Sequence, residues 1–60
     1  MDMYETVVNG RTIVVEKLGE VTLRLGATFK EPAVAYRDTR DNSQHVRRKA
    51  EFEREFRRKV

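Results

Sequence analysis

The chain has no cysteine and no tryptophan, one proline (Pro32), one histidine (His45) and one serine (Ser43) in sixty residues. Without cysteine there is no disulfide and no thiolate zinc site. A lone histidine cannot anchor a histidine-rich metal centre. No apolar run approaches the roughly 20 residues that cross a bilayer as a helix. The opening Met1-Asp2-Met3-Tyr4-Glu5 is acidic, unlike the basic start of a secretory leader. These absences set the expectations of a cytoplasmic, membrane-free protein with no metal and no cofactor. The initial Met and the lack of any tag-like run suggest a complete small gene product.

Chemistry is equally sparse. There is no G-x-x-x-x-G-K-[ST] loop and no G-x-G-x-x-G turn, so nucleotide phosphates have no cradle. Ser43 is read as a helix N-cap, where its hydroxyl serves backbone amides. His45 is read as a partly buried, hydrogen-bonded side chain in the first helical turn, with nothing near it to complete a nucleophile–base pair. Glu51, Glu53 and Glu55 would point to different sides of a helix, whereas acid–base chemistry needs carboxylates in a shared, shielded pocket. The sequence is therefore read as having no catalytic residues and no small-molecule substrate.

What is present is charge, unevenly placed. Residues 1–36 carry four basic and five acidic side chains, and residues 37–60 carry nine basic and five acidic ones. The net charge of +3 thus sits in the C-terminal part, where an acidic partner would be steered.

The local pattern points to an α+β fold. It is a three-stranded antiparallel β-meander followed by one C-terminal amphipathic α-helix packed on one sheet face, and a fourth strand joins if residues 33–37 form an edge. Residues 4–8 and 11–17 are rich in β-branched residues and flank Asn9-Gly10, a pair suited to a two-residue type I′ turn. Leu18-Gly19 reads as a second turn into a strand over 21–29, with Gly26 bending or ending it. Pro32 breaks the sheet. Residues 38–43 form a polar loop, and residues 43–59, free of glycine and proline, form the helix.

A two-residue turn at Asn9-Gly10 fixes the register, because paired residues share a face. Val7, Thr12 and Val14, joined by Val21, Leu23 and Leu25, form the expected core face, against which Phe52 and Phe56 of the helix would pack. The opposite face holds Tyr4, Thr6, Val8, Ile13 and Val15, mixed with Arg11, Lys17 and Arg24. It is too apolar for a wet surface, so Tyr4, Val8, Ile13 and Val15 are nominated as a protein interface. A chain this small buries only about 60% of its unfolded surface, which favours self-association, a homodimer being expected.

Two functions fit. The first is nucleic-acid binding, with Arg40, Arg47, Arg48, Arg54, Arg57 and Arg58 on phosphates, since nine arginines against four lysines suit bidentate contacts. The alternative is a protein-interaction module, such as a small inhibitor, assembly factor or accessory subunit, that docks through its apolar sheet face and helix, with an acidic protein surface as a further partner for the arginines.

Overall fold

A computed structural model describes residues 2–59. Five strands and one helix follow in the order β1 (Asp2–Val8), β2 (Arg11–Arg24), β3 (Lys30–Asp38), β4 (Gln44–Arg48), α1 (Lys49–Glu55) and β5 (Arg57–Arg58). The strands make one antiparallel sheet in the order β4-β3-β2-β1-β5. This is a small α+β fold with a meander at its centre and a short C-terminal helix.

The first hairpin follows the expected register, with Val8 opposite Arg11, Val7 opposite Thr12 and Tyr4 opposite Val15. Asn9 and Gly10 both have positive φ, 51° and 78°, as a type I′ turn demands. The expected second turn is absent. Leu18-Gly19 does not reverse the chain, and the strands expected over 11–17 and 21–29 are a single strand, β2. Lys17 pairs with Tyr36 and Gly19 with Ala35, so Leu18 is an extra residue bulged out of the ladder. The reversal occurs over residues 25–29, where Leu25 N–H donates to the Phe29 carbonyl at 2.9 Å and Gly26 takes φ 127°.

Residues 33–37 lie in β3, an interior strand between β2 and β4. Pro32 does not break the sheet. It sits in β3 just beyond the last residue that pairs with β4, where among the described residues one side of the strand has no paired strand.

The helix is shorter than its propensity suggested. Residues 44–48 are β4, paired with β3 from Arg37↔Gln44 to Ala33↔Arg48. The polar loop is thus a hairpin connection: Asn42 adopts φ 64° and donates its N–H to the Asp38 carbonyl at 2.9 Å. Ser43 does not cap α1, whose N-cap position is Arg48 with no side-chain cap. The helix ends at Glu55, and the chain returns to the far edge of the sheet, with Arg57 opposite Glu5 and Arg58 opposite Tyr4.

The covered face is the one expected to be free. Val15, Val34, Tyr36, Phe52 and Phe56 are the buried cluster, with Tyr4 and Ile13 packed against it. Phe52 and Phe56 stack at 4.6 Å between ring centroids, Tyr4 meets Phe52 edge-on at 5.1 Å, and Tyr36 lies 5.5 and 5.3 Å from the two phenylalanines. Aromatic pairs of this kind add about 0.5–1.5 kcal/mol each beyond the area they bury. Phe52 on α1 and Phe56 just past its end anchor the helix on the rings of Tyr4 and Tyr36, not on the short side chains of Val7, Thr12 and Val14. Among the described residues no helix is long and apolar enough to cross a membrane.

Candidate interaction surface

The residues expected to form the core share a face, and that face is open. Val14 lies on it before the bulge. Because Leu18 adds one residue, the alternation shifts, and Val21 and Leu23 fall on the same side as Val14 rather than beside Val15. Val7 from β1, Ala35 from β3 and Val46 from β4 complete the surface by register. Val7 is 65% exposed, Val46 49% and Val21 41%. The same alternation carries Leu25 and Phe29, both exposed, past the strand ends.

Its centre holds one ion pair. Arg37, directly opposite Glu16, donates Nε and Nη2 to Glu16 Oε1 at 3.0 and 2.7 Å and Nη1 to Asn42 Oδ1 at 2.5 Å. Both side chains are half-buried. At its rim Arg48 Nε lies 2.9 Å from Glu31 Oε2, beside the fully buried Ala33. The surface thus pairs apolar side chains with charges of both signs, not with a cationic excess.

The nominated protein-interface residues lie elsewhere. Val15 is in the core, Tyr4 and Ile13 are half-buried against Phe52 and its neighbours, and only Val8 is exposed, at 48%. Val8, Ile13 and Val15 border a groove beside the helix that Tyr36 and Phe56 also line.

Arg40 and Arg47 of the nominated arginines line one groove, Arg48 and Arg54 a second, and Arg54 and Arg57 a third. Arg40 makes a chelating contact to Asp38, its Nη2 2.6 Å from Oδ2. The hydrogen bonds from the Arg40 side chain and backbone pull the buried Asp38 carboxyl down to about 2. Arg47 donates to the Tyr36 hydroxyl at 3.0 Å and to Glu55 at 2.8 Å, and the bond to Tyr36 is the main reason its guanidinium is held more firmly protonated. Arg48 lies against Glu31 and Glu51, and Arg58 reaches Asp2 at 3.4 Å. Arg54 and Arg57 make no ion pair among the described residues, but they line a shallow groove shared with Glu5 and Glu55.

His45 also differs from expectation. It is exposed on β4, stacks on Tyr36 at 5.5 Å, and its Nε2 lies 2.8 Å from Ser43 Oγ, a nucleophile–base distance that i, i+2 spacing on an extended chain could have suggested. The carboxylate of Asp41 accepts from that same hydroxyl at 2.7 Å rather than from the imidazole. A catalytic triad needs its acid on the histidine, orienting the ring. Here the acid engages the hydroxyl instead.

Comparison of the chain with protein-family models, with curated proteins and with solved structures found no match.

Proposed function

We propose that this chain is a non-enzymatic, cytoplasmic binding module that regulates or completes a protein partner by presenting its open sheet face. The observation that carries the proposal is the collection of Val7, Val21 and Val46 on one uncovered surface, extended by Leu25 and Phe29. Exposed apolar side chains gathered on one sheet face about a central ion pair are the kind of surface that docks a partner. The partner surface should be nearly neutral, with a polar group at its centre able to meet Glu16 and Arg37 and apolar side chains to either side.

Nucleic-acid contact is the second reading, and one observation favours it. Arg24 and Lys30 stand directly opposite each other near the β2–β3 tip, with no carboxylate paired to either among the described residues. Like charges so placed repel, and an anion would relieve them.

The two readings separate by variant ranking. A partner captured by the wild-type chain should be lost with Val46→Glu or Val21→Glu and kept with Arg54→Glu or Arg57→Glu. The opposite ranking, together with duplex binding that collapses between low and moderate salt, supports nucleic acid instead.

A further inference from the structure

The open face needs an occupant, and its own chemistry describes one. The chain exposes 4686 Å², whereas a compact monomer of its mass exposes about 4,100 Å². Its radius of gyration is 12.2 Å, against about 10.4 Å for a compact chain of this length. The excess surface is of the same order as the roughly 800 Å² that one partner gives up in a standard interface.

The central ion pair narrows the choice. Glu16 and Arg37 are cross-strand neighbours on β2 and β3. Their side chains are 17% and 28% exposed, so covering them removes the water they still have. Arg37 spends both of its bonds to Glu16 on Oε1, and Oε2 accepts none among the described residues. A cover that is only apolar would leave that oxygen buried without a donor, which is costly. A twofold axis running along the strands between β2 and β3 solves this by symmetry. It sets Glu16 over Arg37 of a second copy, and Arg37 over the Glu16 of that copy. The four charges then alternate, and Val21 of each copy lies over Ala33 of the other by register. A self-complementary patch of this kind is what an isologous dimer requires.

We propose that a second copy of this chain covers the open face, in a face-to-face pair whose register is set by reciprocal Glu16–Arg37 contacts. The inference rests on the docking reading given above and names its partner. Two sheets packed this way lie about 10 Å apart, a distance long charged side chains can bridge.

Sedimentation velocity of the full chain, from low micromolar to millimolar concentration, tests it. The wild type should sediment as a dimer at the upper end. Val21→Glu, a change at an exposed position expected to leave the circular-dichroism spectrum intact, should weaken the dimer by roughly tenfold or more. Glu16→Arg and Arg37→Glu should each be monomeric alone, since each places like charges across the axis. An equimolar mixture of the two should recover a heterodimer, because every Arg then faces a Glu. A wild type that stays monomeric throughout, a dimer indifferent to Val21→Glu, or a mixture that does not pair overturns the inference. The docking reading fails separately, when a captured partner is retained by the Val46→Glu chain.

Discussion

Arg47 Nε donates to the hydroxyl of Tyr36 at 3.0 Å, across the β3–β4 pair and above the ring of Phe56. An arginine nominated for phosphate contact therefore closes one side of the aromatic core. Its guanidinium satisfies the buried tyrosine's polar tip and ties Glu55 at the end of α1 to the sheet. Tyr36→Phe should lower stability by about 1 kcal/mol through loss of one hydrogen bond. Phe52→Ala, which empties the centre of the core, should cost about 3–5 kcal/mol. Against a total of roughly 5 kcal/mol or less for a chain this small, the second change should unfold the protein, as thermal melts followed by circular dichroism would show.

The two sheet faces should answer a buried charge in opposite ways. Val15→Glu places a carboxylate among Tyr36, Phe52 and Phe56 and should abolish folding. Val21→Glu and Val46→Glu alter exposed positions and should shift monomer stability by no more than about 0.5 kcal/mol. Chemical denaturation at concentrations where the chain is monomeric checks the contrast.

Acid should weaken the β3–β4 turn through Asp38. Its carboxyl is depressed from 3.8 to about 2 by the Arg40 hydrogen bonds. Between those values the unfolded chain binds more protons than the folded one, so stability rises with pH there. The contribution is complete above about pH 4 and is lost as pH falls through 2. The stability gap between wild type and Asp38→Asn should therefore be widest near neutrality and shrink steadily between pH 4 and pH 2.

Deleting Leu18 should be tolerated about as well as replacing it. The side chain is exposed, so Leu18→Ser should be nearly neutral. Removing the residue makes Lys17 and Gly19 consecutive ladder positions opposite Tyr36 and Ala35, so the bulge closes and every β2 side chain beyond it keeps its face. Glu20 stays on the side of α1, where it pairs with Lys49, and Val21 stays on the open side. A cooperative melt retained in both the deletion and the serine variants is the expected result, and loss of the melt in the deletion variant alone would show that the bulge itself is needed.

The hairpin at Asn9-Gly10 was legible because that dipeptide, flanked by β-branched runs, admits one tight turn and one register. The grouping of Val7, Val14, Val21 and Leu23 on a shared face was legible too, although for a different reason than expected: a bulge preserves the phase that a turn would have preserved. Three features were hidden. Gln44–Arg48 has helical propensity, but β3 is apolar enough to demand a second neighbour, and pairing with it outweighs the few tenths of a kcal/mol per residue that propensity supplies. Which face the helix covers depends on the reach of two tyrosines, which a count of apolar residues does not weigh. The intended phosphate contacts of Arg40, Arg47, Arg48 and Arg58 could not be judged without knowing which carboxylates from distant strands would meet them.

The β2–β3 hairpin outruns its neighbours. Thr22–Arg24 pairs with Lys30–Pro32, yet β1 pairs only as far along β2 as Lys17, and β4 reaches only Ala33 on β3. A two-stranded overhang with no strand paired to either side of it among the described residues should breathe ahead of the rest. Its backbone amides should exchange with deuterium well ahead of those around Val15 and Val34. Trypsin should nick the folded chain first after Arg24 or Lys30, leaving the aromatic half intact long enough to isolate.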